Sequence, residues 1–286
     1  MANGTLITVA PTGAESRKAD VPVLPVTLEE LAGTAEECEA LGASVIHVHI
    51  RDDRAEPTLD LGRLRDTVAA VRAETRLIVQ LSTGGAVTDP ESDRLRVLDA
   101  QPDMASCTMG SVNFGEDVFL NRWEFIVALH TRMQERQVVP EYEIFDLGHL
   151  WSLARLLDQH GLPHSGHVHV DFVTGVPGGM PGTAETVVAA KQLAREVLPA
   201  DATFSATGVG RTTLPVMLTS LAAGGHLRVG MEDTLTYAKG QPVESNMQLV
   251  ARAAGFARLA QRPPLSTDEA RAMLRLPVPQ PNAAPA

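Results

Sequence analysis

The chain has 286 residues, a length that suits one large α/β domain or two smaller ones. Hydrophobic residues make up 44% and charged residues 21%, as in a globular protein, and no apolar run approaches the roughly 20 residues that cross a bilayer. The net charge of −11 argues against nucleic acid as the main partner, because phosphate binding needs a cationic surface.

The first predicted strand, LITVA at residues 6–10, follows a start that turns polar too early for a secretion signal. We therefore expect a cytoplasmic protein that does not enter a membrane. The segment after this strand, PTGAESRKADVP, has no glycine pattern of the dinucleotide-binding type. Its absence counts against an open, doubly wound sheet.

Further β-branched runs recur along the chain, each followed by turn residues and then by an amphipathic segment. With the first strand they make eight runs, whose starts lie about 25 to 40 residues apart, a spacing that suits a strand plus a crossover helix. The later runs are residues 45–50, 77–82, 104–109, 139–145, 167–173, 203–208 and 226–231.

The helices between the runs carry recognisable start and stop signals. The first, TLEELAGTAEECEALG, offers Thr27 as the N-cap with Glu30 three residues later, and Gly42 as the stop. Ser266 and Glu269 form a second capping box, which opens a final helix. Beyond it, residues 277–286 form a proline-rich tail that we expect to be loose.

Eight strand–helix units in about 270 residues match a (β/α)8 TIM barrel, which typically takes about 250 residues. We therefore predict an α/β protein with a single catalytic domain over residues 1–276. Two cysteines, Cys38 and Cys107, are too few for a disulfide framework or a thiolate zinc site. We expect both to be buried as small apolar side chains.

Two histidines one residue apart, His47 and His49, stand in the second run, ASVIHVHIRDD. Residues two apart on a strand point to the same face, so both imidazoles can reach one ion at about 2.0 to 2.1 Å from each nitrogen. Core histidines bonded to backbone carbonyls are the alternative. The pair lies at the carboxyl end of a strand, which favours the metal.

A third ligand for that ion is offered by GGHLRVGMEDTL, residues 224–235. Glu232 shares strand parity with Arg228, so it should point inward at the carboxyl end of the eighth strand. In a closed barrel all strand ends face one mouth, and His47, His49 and Glu232 would form a site with an open position. Solvated acids at a strand end are the alternative, but that strand would then bury Arg228 without purpose.

A second His-x-His pair, His167 and His169, also has a nearby acid in Asp171. We rank it lower as a metal site because glycine-rich residues, and no acid, follow that strand. For His169 we expect packing or a supporting role behind the site.

Glycine-rich turns follow several strands, and glycine lets backbone amides approach a ligand closely. One of them, TGVGR, ends in Arg211, which is a candidate for binding an anionic cofactor arm; a solvated arginine in an ordinary turn fits equally well.

Three acids suggest a pocket that tolerates a positively charged substrate group. Glu141 and Glu143 share one face of the fifth strand, and Glu15 lies in the first loop. For any one of them, an exposed acid is the default interpretation.

Several stretches together resemble the β-keto acid cleavage enzyme family, in particular its 3-keto-5-aminohexanoate cleavage enzymes. They cover residues 6 to 276, and the combination is far more specific than any one motif. The stretches are PTGAES, GASVIHVHIRDD, VQLSTGGAV, PDMASCTMGSVNFGEDVF, VVPEYEIFD, GVPGGMPG, GGHLRVGMED and ESNMQLVARAAGFA.

The resemblance implies a zinc-dependent barrel, usually a homotetramer, that converts a β-keto acid and acetyl-CoA into acetoacetate and a new acyl-CoA. The implied zinc ligands are His47, His49 and Glu232. The implied acid–base and polarising residues are Ser82, Arg228 and Asp233. The implied substrate-binding residues are Glu15, Thr83, Ser106 and Glu143. Ser106 stands where enzymes of that group carry threonine, and it keeps the hydroxyl.

Two other functions remain open from the residues alone. An amidohydrolase-type zinc hydrolase also places His-x-His and a late aspartate on a barrel, but its histidine pair sits on the first strand and a lysine on the fourth. A non-catalytic barrel that binds metal or acyl-CoA is the other. The acids Glu15, Glu141 and Glu143 favour 3-keto-5-aminohexanoate or another cationic β-keto acid as the substrate. Residues 109–125 are a candidate for the contact between subunits.

Overall fold

In the computed structural model, which describes residues 4–277, eight parallel strands close into one barrel in sequential order. Each predicted run forms one barrel strand, so the predicted (β/α)8 fold is confirmed. The strands are β1 Ile7–Val9, β2 Val45–Val48, β3 Ile78–Leu81, β4 Met104–Thr108, β5 Val139–Ile144, β6 His169–Thr174, β7 Thr203–Gly208 and β8 His226–Val229. Most of the predicted tail, residues 278–286, lies outside the described residues, so its character stays a prediction.

A helix follows each barrel strand, and one further helix ends the described chain. The helices are α1 Leu28–Leu41, α2 Leu61–Glu74, α3 Glu91–Arg96, α4 Trp123–Arg136, α5 Leu147–His160, α6 Ala184–Val197, α7 Thr213–Ala222, α8 Asn246–Leu259 and α9 Thr267–Leu274. Within residues 4–277, none of them is long and apolar enough to cross a membrane.

Short elements decorate the loops. Two 3-10 turns cover Val97–Ala100 and Gly210–Thr212. Three two-stranded sheets pair Ile50–Arg51 with Pro57–Thr58, Val112–Phe114 with Asp117–Phe119, and Thr236–Ala238 with Gln241–Pro242.

The predicted helix caps are present. The Thr27 side chain accepts a hydrogen bond from the Glu30 backbone amide, and the Glu30 carboxylate accepts one from the Thr27 amide. Gly42 ends α1 with a φ of 114°, a conformation that costs glycine least. Ser266 and Glu269 form the same reciprocal box at the start of α9. These local signals fix where two of the helices begin.

Helix α9 closes the amino-terminal end of the barrel. Leu265, Ala270 and Leu274 pack against the first residues of the strands, including Leu6 and Ile78, in one buried apolar cluster. Removing this surface from water stabilises the closure. The opposite, carboxyl end is not covered by this helix.

The middle of the barrel is unusually polar. Parallel pairing places His47 opposite Gln80 and Glu143 opposite Asp171, and these side chains are buried. Buried polar groups need hydrogen-bond partners, so this layer forms a connected network. Both cysteines lie in the apolar layer around it, as expected, and burial raises the pKa of Cys38 and of Cys107 to about 12.

Candidate metal centre and active site

A cavity of about 250 Å³ opens at the carboxyl ends of the strands. Its lining combines polar and apolar side chains. The polar lining residues include Glu15, His47, His49, Ser82, Glu143, Arg228, Glu232 and Asp233. The apolar lining residues include Val87, Phe114, Phe119, Phe145, Val173, Val176 and Val209. A pocket that is half apolar with a few convergent polar groups is typical of a small-molecule site.

Among the lining residues, His47, His49 and Glu232 lie close together. The Nε2 atoms of His47 and His49 lie 3.8 and 3.7 Å from the same Glu232 oxygen, Oε1. One ligand atom from each of the three residues lies within 4.8 Å of the others. Ligand atoms around a tetrahedral zinc ion lie on the order of 3.4 Å apart. The three side chains would therefore need to move slightly closer together to reach that geometry. The structure thus brings together the three residues that the sequence predicted.

Glu232 reaches this position by a route that strand parity did not predict. Strand β8 ends at Val229, and Glu232 lies in the turn that follows it. Its amide donates a hydrogen bond to the Ala10 carbonyl at 3.1 Å. Gly230 permits this approach, since a Cβ there would stand 1.9 Å from the same carbonyl oxygen. The parity argument was wrong for Glu232, and packing of the turn on the end of β1 replaces it.

The protonation states of these groups suit a cation. Burial alone would raise the pKa of Glu232, but Arg228 and the two histidines lower it to about 2. Burial lowers the pKa of His49 to about 4, so its imidazole is neutral at neutral pH. Glu232 Oε2 is buried and has no hydrogen-bond partner among residues 4–277. A neutral imidazole and an ionised, unsatisfied carboxylate are what a divalent ion requires.

Gln80 supports His47 from behind. Its Oε1 lies 2.6 Å from His47 Nδ1, and its Nε2 donates to Glu141 Oε1 at 3.1 Å. Glu141 also lies 3.3 Å from His169 Nε2. Sequence reasoning missed Gln80, and the available signal was a lone amide within the apolar strand IVQL.

Arg228 and Asp233 form a buried ion pair beside the metal candidates. Nη2 of Arg228 donates to Oδ1 of Asp233 at 3.1 Å and also to Glu232. Burial raises the pKa of Asp233 to about 6 although Arg228 lowers it, with Glu232 raising it further. The surrounding carboxylates keep the pKa of Arg228 well above its usual range despite burial. The pKa of Asp233 is therefore close to the value at which a general base works efficiently at neutral pH.

Ser82 presents a hydroxyl to the cavity. Its Oγ accepts a hydrogen bond from the Gly84 amide at 3.1 Å, so its own proton is free to donate to a ligand. Thr83 and Ser106, expected to bind substrate, do not line the cavity. Thr83 instead donates from its amide to Ser106 Oγ at 3.1 Å and from Oγ1 to the Ser106 carbonyl at 2.8 Å. The structure places them as supports for the Ser82 loop.

Arg94 holds the Ser82 loop from the other side, another contact that the sequence did not reveal. It is buried and donates to the Thr83 carbonyl at 2.7 Å and to the Leu120 carbonyl at 2.8 Å. Its guanidinium lies 4.8 Å from the centre of the Phe119 ring. Burial lowers its pKa to about 10. Arg94 therefore joins the loops after β3 and β4.

The three acids expected to favour a cationic substrate have different surroundings. Glu141 does not line the cavity, because Gln80 and His169 surround it. Glu143 lines the cavity and accepts from Thr108 at 2.6 Å, and burial raises its pKa. Glu15 is exposed at the rim of the cavity. The default interpretation of an exposed acid was wrong for Glu141 and Glu143 and is confirmed for Glu15.

Arg51 fixes the loop that carries Glu15. It donates to the Gly13 carbonyl at 2.6 Å and to the Ser16 carbonyl at 3.0 Å. Gly13 has a φ of 66°, and a Cβ there would stand 2.7 Å from Glu232 Cγ. The loop after β1 therefore rests directly on the third metal candidate.

The second His-x-His pair lies deeper in the barrel, away from the cavity lining. The ring nitrogens of His167 and His169 both lie 2.8 Å from Thr203 Oγ1. Asp171 accepts a hydrogen bond from Thr207 at 2.6 Å. The ligand group found among the described residues is His47, His49 and Glu232, and does not include this second pair. His169 is fully buried and bonded to Thr203, which agrees with the packing or supporting role expected for it.

Arg211 is exposed in the 3-10 turn after β7, outside the cavity lining. The amide of its neighbour Gly210 donates to the Asp233 carbonyl at 2.7 Å, so the turn sits at the rim of the site.

A family model described as beta-keto acid cleavage enzyme matches residues 5–276. A 3-keto-5-aminohexanoate cleavage enzyme of Fusobacterium nucleatum is 37% identical over 273 residues, covering 95% of this chain and 97% of the relative. A 3-oxoadipate:acetyl-CoA acetyltransferase of Cupriavidus necator is 33% identical over 278 residues, covering 97% and 96%.

A 3-dehydrocarnitine:acetyl-CoA trimethylamine transferase of Rhizobium meliloti is 30% identical over 294 residues, covering 94% of this chain and 96% of the relative. Among solved structures, the apo structure of ObcA superposes with a TM-score of 0.74 at 19% identity. The match covers 90% of this chain and 66% of that one. At this identity it supports the fold alone.

Proposed function

Because the chain belongs to the beta-keto acid cleavage enzyme family, we propose that it transfers an acyl group from a β-keto acid to CoA at the expense of acetyl-CoA. The products are acetoacetate and a new acyl-CoA. The bond between the keto carbon and C2 of the substrate and the C–S bond of acetyl-CoA therefore both break, while C2 joins the acetyl carbonyl carbon and the CoA sulfur joins the keto carbon. Relatives named as acetyl-CoA transferases support the reaction class. The observation that carries it is the His47, His49 and Glu232 cluster beside the Arg228–Asp233 pair.

His47, His49 and Glu232 would hold a divalent ion, and we propose Zn²⁺ because two imidazoles and one carboxylate form a known catalytic zinc set. Such an ion supplies Lewis acidity to a keto oxygen. The unsatisfied Glu232 oxygen supports a cation at this point.

Three residues of the protein carry out proton transfer and hydrogen bonding to the substrates. Asp233 removes a proton from C2 of the substrate, since its pKa of about 6 lets it accept a proton at neutral pH. Arg228 holds the Asp233 carboxylate through two hydrogen bonds. Ser82 donates its free hydroxyl proton to the thioester or to the transferred carbonyl.

We further propose that the β-keto acid carries a cationic group, as 3-keto-5-aminohexanoate does. Glu15 supports this class because its carboxylate stands at the rim and lines the cavity. Glu143 lines the same cavity from β5. The relatives are named for amino, acidic and trimethylammonium substrates, so family membership alone leaves the side chain open.

The experiment is to supply the purified protein with acetyl-CoA and a panel of β-keto acids, and to measure acetoacetate and acyl-CoA. The panel holds 3-keto-5-aminohexanoate, 3-dehydrocarnitine, 3-oxoadipate and 3-ketohexanoate. We expect acetoacetate only when both substrates are present. Product without acetyl-CoA would instead support a hydrolase, and bound zinc without turnover would support a non-catalytic binding barrel.

The role of Glu15 is tested with the same panel. Glu15→Gln should raise KM for the cationic substrates and leave KM for 3-ketohexanoate unchanged, because only the former lose a charge partner. An equal effect on both substrates would contradict a charge-recognition role for Glu15.

Two further proposals concern the binding of CoA by Arg211 and the contact between subunits. We propose that Arg211, exposed in the 3-10 turn after β7, binds a phosphate of the CoA arm. The family resemblance suggests a homotetramer, and we propose this assembly, in the cytoplasm, with residues 109–125 in the contact. Val118 and Leu120 in that segment are 48% and 52% exposed, and exposed apolar side chains of this kind support a surface that another subunit covers. Light scattering measures the assembly, and Val118→Asp with Leu120→Asp should shift it to smaller species.

A further inference from the structure

Gln80 occupies a central place in the polar layer of the barrel. Its side chain is fully buried in β3 and bridges two residues, His47 from the neighbouring strand β2 and Glu141 from β5, two strands away on the other side. The amide makes a contact of 2.6 Å with His47 and of 3.1 Å with Glu141. A fully buried amide with both ends engaged has a fixed orientation.

Hydrogen-bond chemistry decides which way the amide points. Hydrogen bonds from His169 and nearby positive charges lower the pKa of Glu141 in spite of burial, so its carboxylate is ionised and only accepts. The NH₂ group of Gln80 must therefore face Glu141. The carbonyl oxygen then faces His47, so His47 Nδ1 must carry the proton and donate it.

The second carboxylate oxygen of Glu141 also has a polar neighbour. His169 Nε2 lies 3.3 Å from the second Glu141 oxygen, and its Nδ1 lies 2.8 Å from Thr203 Oγ1. His169 donates to the carboxylate from Nε2, and Nδ1 accepts from the Thr203 hydroxyl. Thr203 Oγ1 in turn accepts from His167 Nε2, also at 2.8 Å. His169 Nε2 also lies 3.1 Å from Ser205 Oγ, so contacts with two hydroxyl groups hold the His169 ring beside Glu141.

We propose that Gln80, anchored by Glu141, is a positioning residue that selects the Nδ1–H tautomer of His47 and thereby sets the affinity of the metal centre. In this tautomer the Nε2 lone pair of His47 points to the side of Glu232 Oε1, 3.8 Å away. The inference rests on the proposed metal site. Loss of a contact that orients a histidine ligand typically weakens metal binding by about 10- to 100-fold.

The test compares Gln80→Met with Ser205→Ala in the full-length protein. Methionine keeps the volume of Gln80 and removes both hydrogen bonds. Ser205 contacts His169 at 3.1 Å on the far side of Glu141, so its change also removes a buried hydrogen bond without touching His47. Both variants are first checked for folding by circular dichroism and thermal melting.

Two measurements follow, and the first needs no metal. The ¹⁵N shifts of the His47 ring in the metal-free protein report the tautomer, and zinc affinity is measured by competition with a chelator. We expect the parent protein and Ser205→Ala to show the Nδ1–H form with equal zinc affinity. Gln80→Met should lose the preference for that form and bind zinc about 10- to 100-fold more weakly.

An unchanged tautomer and a zinc Kd within twofold of the parent in Gln80→Met would overturn the proposal. If that variant does not fold, Glu141→Leu replaces it, since loss of the acceptor at Glu141 lets the Gln80 amide turn over and should produce the same two changes. A parent protein that binds no zinc would contradict the proposed metal site, whereas the tautomer in the metal-free protein tests the role of Gln80 separately.

Discussion

Arg228 donates two hydrogen bonds to Asp233, from Nη2 to Oδ1 at 3.1 Å and from Nε to Oδ2 at 3.3 Å. The pair is buried beside the cavity, where the carboxylate is held in one orientation. Burial raises the pKa of Asp233 to about 6 while the arginine keeps the carboxylate available in its charged form. This arrangement is the basis for assigning proton transfer to Asp233.

Replacing Asp233 by asparagine should abolish most of the turnover. The amide keeps the shape and cannot accept the substrate proton, so we expect kcat to fall by about 100- to 10,000-fold. Zinc content should stay equal to that of the parent protein, because Asp233 is not among the three candidate ligands. Steady-state kinetics and elemental analysis measure both, and near-normal turnover would refute the assigned role.

Removing a metal candidate should empty the site. We expect His49→Ala to bind zinc more than about 100-fold more weakly, beyond the usual effect of losing a supporting contact. His164→Ala is the matched control, because His164 is exposed and outside the cluster. Equal zinc affinity in the two variants, measured by chelator competition, would show that the ion binds elsewhere.

Gly13→Ala tests the contact between the first loop and Glu232. Its added Cβ would stand 2.7 Å from Glu232 Cγ, so we expect weaker zinc binding as Glu232 is displaced. Gly115→Ala is the control: Gly115 has a φ of 65°, close to the 66° of Gly13, but nothing within 4 Å of its added Cβ. Both variants should lose about 1 kcal/mol to backbone strain. Only Gly13→Ala should change the zinc Kd, and a parallel change in both would contradict the contact.

Arg94→Met should destabilise the protein by about 3 kcal/mol, because it leaves the Thr83 and Leu120 carbonyls without their donor. Arg195→Met, at an exposed position on α6, should stay within about 0.5 kcal/mol of the parent. Urea unfolding measures both. Similar midpoints would mean that water replaces the guanidinium in holding the two loops.

The buried His167 should make stability depend on pH. Burial lowers its pKa from 6.5 to about 4, so the unfolded chain takes up the proton more readily than the folded protein does. This contribution to stability is present above pH 6.5 and is lost as pH falls towards about 4. In metal-free protein, His167→Gln should reduce the fall in unfolding free energy between pH 7 and pH 4.5. An unchanged slope would mean that other buried histidines account for the effect.

The parts of the fold and site that the sequence predicted are those with local signals. Each of these signals can be read within a few consecutive residues. They are the eight β-branched runs, the two capping boxes and the His47–His49 spacing, and the structure contains all of them. Strand parity failed for Glu232 because β8 ends three residues earlier, and a strand end depends on packing against β1.

The missed residues have partners far away in the chain. Arg51 binds carbonyls 35 to 38 residues away, and Gln80 joins residues 33 and 61 positions distant. Thr83 and Ser106 carry hydroxyls that suit substrate binding equally well, and only the folded barrel shows that they satisfy each other. No sequence spacing encodes such contacts, because ring closure creates them.

The turn carrying Glu232 docks on the end of β1, so the candidate ion site straddles the seam where the first and last strands meet. A nascent chain lacking β8 would hold two imidazoles and no carboxylate to complete the set. An ion held by all three side chains would therefore bind only after β8 has closed the barrel.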